Sequence, residues 1–310
     1  MTKVSLIIVN YNAKENTLEC LQSLRKLSTV GYQLAIIVVD NNSTDDSVVC
    51  IKKRFPKIEI IKNRENLGFV GGNNLGIRHA LKSSSSKSNS HPEYLLILNN
   101  DTLVSENLIT ELIKKAEKDS RVGIVSPKIY FAKGYEFHKD RYKKSELGKV
   151  IWYAGGKIDW QNMYGYHEGV DQVDEGQFNQ EKEVDFATGC CMLIKRQICE
   201  KVGLFDKKFF LYNEDLDLSL RMEKKGYKVV YEPKAYLWHK NAGSSSSGSA
   251  LQDYYLSRNR LLIGWRYAPW RTKLALFRES MKRLFTGRSW EKKGIRDFYL
   301  RKFGKGSYKS

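Results

Sequence analysis

The feature that most constrains the fold is an alternation of strand and helix patterns over the first 125 residues. Strands that alternate with helices form βαβ units, which place parallel strands in one sheet joined by right-handed crossovers. The sequence therefore predicts an α/β protein with a Rossmann-like, mostly parallel sheet. Apolar runs typical of buried strands lie at residues 4–10, 34–40, 58–61, 94–98 and 122–126. Helical spacing of apolar residues occurs at 14–27, 45–55, 71–81 and 105–118, where Ser105 is the expected cap.

The rest of the chain is less regular. Residues 130–185 have weak periodicity and predict irregular structure with short strands. A helix at 214–225, a strand at 228–231 and a further helix at 251–262 follow. A serine-rich loop is predicted at 83–90. The Gly/Ser stretch at 243–249 is either a lid that orders when a ligand binds or a passive loop.

Charge divides the chain in two. Lys and Arg number 53 against 35 Asp and Glu, a net charge of +18. Residues 251–310 hold 9 Arg and 7 Lys against 4 acids, or +12, which leaves +6 for residues 1–250. We therefore predict a nearly balanced domain at 1–250 and a basic, aromatic helical extension at 251–310. Such asymmetry indicates nucleic acid, an anionic membrane or an acidic substrate as partner, although a solvated surface is the simplest alternative.

Composition narrows the class of protein. Hydrophobic residues make up 41% of the chain, which is typical of a globular protein. No apolar run approaches the ~18 residues of a membrane span, and the first run is too short for a signal peptide. The five cysteines are odd in number and include no CxxC pair, which argues against a disulfide framework or a cysteine zinc site. These features favour the cytosol.

Polar clusters follow three of the predicted strands. They are Asn10-Tyr11-Asn12, Asp40-Asn41-Asn42-Ser43 and Asn99-Asn100-Asp101-Thr102. Each cluster by itself is also compatible with a turn or a helix cap. Ligands of open parallel sheets bind beyond the carboxyl ends of the strands, so three clusters on one edge favour a binding crevice.

A glycine-rich segment at residues 66–74 opens the third predicted helix. Such a turn lets backbone N–H groups approach a phosphate, and a helix N-terminus favours an anion. The segment matches neither GxGxxG nor GxxxxGK[ST]. This argues against a dinucleotide-dependent dehydrogenase and against a P-loop ATPase.

Five motifs follow one another along the chain, at residues 39–45, 66–73, 98–102, 188–191 and 210–218. Together they resemble the family 2 inverting glycosyltransferases, in particular the rhamnosyltransferase-like branch. The resemblance covers about residues 4–240 and implies that residues 1–250 form a catalytic domain with an A-type glycosyltransferase fold. It also implies a UDP- or dTDP-sugar donor, dTDP-rhamnose among them, Mn²⁺ or Mg²⁺, and a glycan or lipid-linked acceptor in cell-surface polysaccharide synthesis.

The resemblance also assigns roles to residues of the donor site. In the family, an acid in the position of Asp40 accepts the imide N–H of the base, and Tyr11 could lie against that base. Asp101 falls where the family has its metal-binding acid, but Asn99 stands at the first position of the usual Asp-x-Asp motif. His239 falls where the family often has a histidine near the metal, although a lone histidine is more often structural. The expected donor-binding residues are Asn10, Tyr11, Asp40, Asn42, Asn66, Gly71, Asn73 and Asn100.

Inverting transfer needs a base that removes a proton from the acceptor hydroxyl. The family places this base in a Glu-Asp pair that opens a helix, so Asp215 is the expected base and Glu214 a contributor to acceptor binding. Acids at a helix start could instead serve only the helix dipole. Asp217 and Arg221 are four residues apart and predict a structural ion pair. Residues 188–189 are expected on the acceptor side, with Cys190 and Cys191 as packing residues.

The extension carries aromatic and aliphatic residues interleaved with Arg and Lys, a pattern typical of a basic amphipathic helix at an anionic membrane surface. We expect an enzyme that is cytoplasmic and peripheral at the inner face of the cell membrane, with no nucleic acid as partner, because the strand-end acids would repel phosphate. Two alternatives are an inactive transferase-like module that binds membrane or nucleic acid, and packing of these residues on the catalytic domain or on another copy in a homo-oligomer. The apolar members are Trp265, Tyr267, Trp270, Leu274, Leu276, Phe277, Met281, Leu284 and Phe285.

Overall fold

The computed structural model describes residues 1–82, 91–241 and 248–308 as a mixed sheet flanked by helices. The predicted loop at 83–90 and residues 243–247 of the predicted lid lie outside the described residues. The strands are β1 (Thr2–Asn10), β2 (Tyr32–Asp40), β3 (Glu59–Lys62), β4 (Tyr94–Leu98), β5 (Thr102–Val104), β6 (Val122–Phe131), β7 (Ile151–Tyr153), β8 (Gly156–Asp159), β9 (Tyr164–His167), β10 (Lys182–Glu183), β11 (Cys191–Lys195) and β12 (Lys228–His239). The helices are α1 (Lys14–Leu24), α2 (Ser47–Arg54), α3 (Gly68–Lys82), α4 (Leu108–Glu117), α5 (Arg196–Val202), α6 (Glu214–Lys224), α7 (Ala250–Tyr267), α8 (Trp270–Thr286) and α9 (Ser289–Tyr299).

The main sheet has the strand order β10-β12-β6-β11-β4-β1-β2-β3, with β5 on β12 and β7 on β6. Strands β3, β2, β1 and β4 are parallel neighbours, and so are β6 and β12, whereas β11 runs antiparallel between β4 and β6. Helices cover both faces of the parallel part, which is why its strands read as continuous apolar runs. Leu6, Ile7 and Ile8 are fully buried there. The predicted α/β fold with a mostly parallel sheet is confirmed.

The glycines of α3 let this helix lie directly on the sheet. A Cβ atom on Gly72 would lie 2.9 Å from the Val9 side chain, and one on Gly76 would lie 2.5 Å from the Ile7 side chain. A methyl group at either position would push the helix away from β1. Part of the glycine-rich segment is therefore explained by helix packing.

Several predicted boundaries were wrong: β6 runs on to Phe131 and α7 to Tyr267, and two further differences have a clear tertiary cause. Helix α4 begins at Leu108 after Asn107, and Ser105 does not cap it, because its hydroxyl donates to the Tyr236 carbonyl at 2.5 Å. Strand β12 continues beyond residue 231 to His239, since its second half pairs with both β5 and β6. Both differences come from pairing with residues distant in sequence, which local patterns do not contain.

The C-terminal region is helical, as predicted, and α7 packs against the loop that precedes α6. The Asn259 amide donates to the carbonyls of Leu211 and Tyr212 at 2.9 and 2.8 Å. The buried Arg258 guanidinium donates to the Gly304 carbonyl at 2.7 Å. The division into domains at residue 250 stays a prediction. Among the helices that the structure describes, none is both long and apolar enough to cross a bilayer.

Candidate active site

The ends of β1 and β2 are joined by a buried hydrogen-bond network around Asn10. Its side-chain amide donates to Asp40 Oδ1 at 2.8 Å, and its carbonyl oxygen accepts from the Thr17 hydroxyl at 2.7 Å. Asp40 Oδ2 accepts the Ser43 backbone N–H at 3.1 Å. Asn10 is completely buried, so it fixes the position of Asp40. The network orients the Asp40 carboxylate as an acceptor at the carboxyl edge of the sheet.

The loops after these strands hold each other in place and leave Tyr11 exposed. Asn12 has a left-handed φ of 47°, and its side-chain oxygen accepts the Thr44 N–H at 2.7 Å. Asn42 is also left-handed, with φ 66°. The Tyr11 side chain is 45% exposed at this edge. A ring in this position is free to cover a ligand that reaches Asp40.

At the start of α3, the predicted donor-binding residues shape the backbone. Asn66 Oδ1 accepts the Gly68 N–H at 2.8 Å, and Gly71 follows in the first turn of the helix. The Asn73 amide donates to the Phe69 carbonyl at 2.9 Å, which leaves the buried Asn73 Oδ1 without a partner among the described residues. Direct contact of these residues with a donor stays a prediction.

Asp101 and His239 meet although they are 138 residues apart. Antiparallel pairing of β5 with β12 sets His239 opposite Thr102, and His239 Nε2 then lies 3.1 Å from Asp101 Oδ1. The Lys240 N–H donates to the Asp101 backbone carbonyl at 2.9 Å. Burial would raise the pKa of Asp101, but His239 and Lys240 outweigh it, so this pKa lies below its usual value. Asp101 is therefore suited to carry a negative charge.

These two side chains have the donor atoms of a partial metal site. Within the described ranges, no group of three or more His, Cys, Asp and Glu side chains could hold a metal ion. Asp101 and His239 offer one carboxylate and one imidazole, and His239 Nδ1 is buried without a partner there. The pair fits a divalent cation whose remaining ligands would be diphosphate oxygens and water.

The Asn100 side chain lies beside this pair and turns toward α1. Its amide donates to the Thr17 hydroxyl at 2.9 Å, and Thr17 in turn donates to Asn10. The ends of β1, β2 and β4 are thus connected by one chain of side-chain hydrogen bonds. The predicted convergence of the three polar clusters at one edge of the sheet agrees with this geometry.

The acids that open α6 have different environments. Asp215 accepts the Gly189 N–H at 2.9 Å on Oδ2 and the Leu216 N–H at 2.8 Å on Oδ1. Burial raises the pKa of Asp215, and these N–H groups oppose the rise. Glu214 has a buried Oε2 without a partner among the described residues, and burial followed by the nearby Asp215 charge raises its pKa well above the usual value. Of the pair, Asp215 is suited to carry the charge and Glu214 to hold a proton.

One turn connects the two acidic centres. The Gly189 N–H binds Asp215, and the next residue, Cys190, accepts the Asn99 N–H through its carbonyl at 2.8 Å. Asp101 lies two residues beyond Asn99, so the turn links the start of α6 to the end of β4. Cys190 and Cys191 are buried below the turn, and burial raises the pKa of both thiols, as expected of packing residues.

Comparison with known proteins identifies the family of this chain. The family model described as "Glycosyl transferase family 2" matches residues 5–203. The chain belongs to this family. It is a glycosyltransferase, and the predicted resemblance is confirmed.

Its relatives by sequence include enzymes of glycan synthesis. The N-acetylglucosaminyl-diphospho-decaprenol L-rhamnosyltransferase of Mycobacterium tuberculosis is 26% identical over 248 residues, which cover 78% of this chain and 80% of that protein. The low-salt glycan biosynthesis hexosyltransferase Agl10 of Haloferax volcanii is 26% identical over 227 residues, which cover 73% of this chain and 63% of that protein. Such relatives fit the rhamnosyltransferase-like branch.

Solved structures show the same fold at lower identity. GalNAc-T7, solved with UDP, GalNAc and Mn²⁺, aligns with a TM-score of 0.65 and 16% identity over 97% of this chain and 55% of that one. The mannosyltransferase PcManGT of Pyrobaculum calidifontis, solved with GDP-Man and Mn²⁺, aligns with a TM-score of 0.54 and 17% identity over 96% of this chain and 74% of that one. These likenesses confirm the A-type glycosyltransferase fold.

The glycosyltransferase also has a buried ionic cluster that sequence reasoning found only in part. The predicted Asp217–Arg221 pair is present at 2.8 Å, with Asp217 completely buried. Asp217 Oδ1 also accepts from Arg266 at 2.6 Å and from the Tyr267 hydroxyl at 2.8 Å. The i,i+4 spacing predicted the first contact, whereas no local signal pointed to the residues of α7 about 50 positions later.

Proposed function

We propose that this family 2 enzyme is an inverting glycosyltransferase that moves one sugar from a UDP- or dTDP-sugar to a glycan or lipid-linked acceptor in cell-surface polysaccharide synthesis. A dTDP-rhamnose donor is one member of this class. The observation that carries the proposal is the turn at residues 188–190, which binds Asp215 through the Gly189 N–H and binds Asn99, two residues before Asp101, through the Cys190 carbonyl. Inverting transfer needs a base for the acceptor hydroxyl, and an acid that holds a cation near the leaving diphosphate would assist its departure.

In the proposed reaction, Asp215 takes the proton from the acceptor hydroxyl as that oxygen attacks C1 of the donor sugar. The C1–oxygen bond to the diphosphate breaks, and the nucleoside diphosphate leaves with the bonding electron pair. The two backbone N–H groups on Asp215 keep its carboxylate oriented before the proton moves. Glu214, kept protonated by burial, donates a hydrogen bond to a polar group of the acceptor.

Asp101 and His239 are the residues that would hold the cation of the donor complex. Mn²⁺ or Mg²⁺ bound there would neutralise charge on the leaving diphosphate. The two solved neighbours that contain Mn²⁺ support a divalent cation. Asp40 would accept the imide N–H of uracil or thymine, with Tyr11 against the base and Asn10 holding Asp40 in place. Asn42, Asn66, Gly71, Asn73 and Asn100 would complete the donor site.

A relative and the basic extension support the proposed acceptor and the proposed location. The Mycobacterium tuberculosis relative is named for a diphospho-decaprenol substrate, which is a lipid-linked sugar. A lipid-linked acceptor would place this enzyme on the cytoplasmic side, peripheral at the inner face of the cell membrane. Whether it works as a homo-oligomer is a separate proposal that a molar-mass measurement by light scattering would decide.

The experiment that tests the proposal is a thermal-shift panel of UDP, dTDP, GDP, CDP and ADP, each with and without Mn²⁺. We expect metal-dependent stabilisation by UDP or dTDP alone, because a ligand that binds only the folded state raises its stability. The same panel with sugar donors would then name the sugar. Absence of a shift with all five nucleotides would refute the proposal in favour of an inactive transferase-like module.

A further inference from the structure

Helix α8 has an apolar stripe that faces away from the protein. Four large side chains at positions i, i+4, i+7 and i+15 fall within an arc of about 80° on a helix of 3.6 residues per turn. Trp270 is 69% exposed and Phe285 is 82% exposed. The α8 stripe consists of Trp270, Leu274, Phe277 and Phe285.

The opposite side of α8 packs on the rest of the extension. Leu276 and Ser280 are buried there, and a Cβ atom on Gly264 of α7 would collide with Leu276. Arg260 of α7 binds Glu279 with two hydrogen bonds of 3.0 and 2.9 Å. The predicted aromatic and aliphatic set of the extension therefore divides into an inner group that stabilises the fold and an outer group that contacts solvent.

The charges divide in the same way. The carboxylates of Asp253, Glu279 and Glu291 are bound by Arg288, Arg260 and Arg283 respectively. Beside the stripe, the exposed cations of α8 have no carboxylate within 4.0 Å in the part of the chain that the structure describes. These cations are Arg271, Arg278 and Lys282. The outward face is thus apolar at its centre and positive beside it.

This face has a fixed relation to the active site. Arg266, at the end of α7, binds Asp217 of α6 at 2.6 Å, and α8 begins four residues later. Asn259 of α7 holds the loop that leads into Glu214 and Asp215. A surface that binds α8 would consequently fix the distance and orientation of the proposed catalytic base, Asp215, relative to that surface.

We propose that the α8 stripe docks flat on an anionic phospholipid membrane. Exposed aromatic and aliphatic side chains enter the boundary between headgroups and acyl chains, and the adjacent Arg and Lys side chains bind lipid phosphates. The unpaired positive charge beside the stripe favours an anionic bilayer over a second, equally basic copy of this chain. The docking rests on geometry alone, whereas its consequence, a membrane-anchored acceptor, rests on the proposed transferase function.

The test is flotation of the full chain with vesicles of phosphatidylcholine and with vesicles that also contain phosphatidylglycerol. We expect binding to the anionic vesicles only. The triple variant W270A/F277A/F285A should bind them at least tenfold more weakly, and so should R271E/R278E. Matched controls on α2 are V49S, which removes a side chain that is 67% exposed, and K52E/K53E, which reverses two exposed charges. Both controls should bind like the wild type.

Each outcome decides the docking proposal. Binding of the triple variant to anionic vesicles at wild-type strength would overturn it. So would a wild-type chain that ignores vesicles but forms a dimer, or binds RNA, through the same residues. The nucleotide thermal shift, run on every variant, separates the two proposals. If nucleotide gives a normal thermal shift but the triple variant binds vesicles as strongly as the wild type, only the docking is overturned. If nucleotide gives no thermal shift but vesicle binding depends on the α8 stripe as expected, only the transferase function is overturned.

Discussion

Replacement of Asp217 by asparagine tests whether the buried ionic cluster fastens the C-terminal helices to α6. The carboxylate accepts from Arg221, Arg266 and Tyr267 and is completely buried. An asparagine keeps the shape of the side chain but removes its negative charge. It also replaces one acceptor oxygen by an NH₂ group, which cannot accept the hydrogen bonds that Arg221, Arg266 and Tyr267 donate. The variant therefore leaves two guanidinium groups partly uncompensated.

The magnitude follows from burial. Removal of one partner of a buried ion pair costs about 3–5 kcal/mol, because the remaining charge stays away from water. Arg266 keeps Asp206 at 2.5 Å, and Arg221 keeps the Leu204 carbonyl at 2.8 Å, so we expect a value near the lower end of that range. A loss of about 3 kcal/mol corresponds to a decrease in Tm of about 6–12 °C in a protein of 150–250 residues, and to somewhat less in a longer chain.

Urea unfolding followed by tryptophan fluorescence gives the change in the free energy of unfolding. The matched control is Asp206→Asn, whose side chain is 29% exposed and which leaves Asp217 in contact with Arg266. We expect that control to cost about 1 kcal/mol or less, as exposed pairs do. An Asp217→Asn variant within about 1 kcal/mol of the wild type, or no less stable than the control, would refute the reasoning.

Five further outcomes are expected. Asp215→Asn should bind nucleotide normally but transfer sugar about 10²–10⁴-fold more slowly, measured with a labelled donor, and normal transfer would remove it as the base. Because burial raises the pKa of Asp215, wild-type transfer should fall on the acid side at a higher pH than an ordinary aspartate gives. Because the pKa of Glu214 is raised in the folded state, the protein loses stability as the pH rises from the ordinary value of 4.5 to that raised pKa. Above this range, Glu214→Gln should therefore be more stable than the wild type in thermal melts. Asp101→Ala should abolish the effect of Mn²⁺ on nucleotide binding, and unchanged affinity with and without metal would exclude it from the site. Gly294→Ala should cost about 1–3 kcal/mol in urea unfolding, since its methyl would meet the Tyr254 carbonyl between α9 and α7, and an unchanged midpoint would contradict that packing.

Much of the site could be predicted because its signals are local. Asn10, Asp40 and Asn100 each end or follow an apolar run, and parallel strands bring their ends to one edge whatever the details of packing. The Glu214–Asp215 pair is visible as a helix start. The environments that distinguish the two acids were not predictable, since Gly189 reaches Asp215 across 26 residues.

The alternation of strands and helices, the polar carboxyl edge and the family could be predicted because they depend on the order of side chains along the chain. The folded chain was needed to see that β12 runs on to His239 and places it against Asp101, and that Arg266 reaches Asp217. It also decided which aromatic residues of the extension pack inward and which form the α8 stripe. Each of these depends on burial and pairing between residues far apart in the chain, and such contacts have no local periodicity.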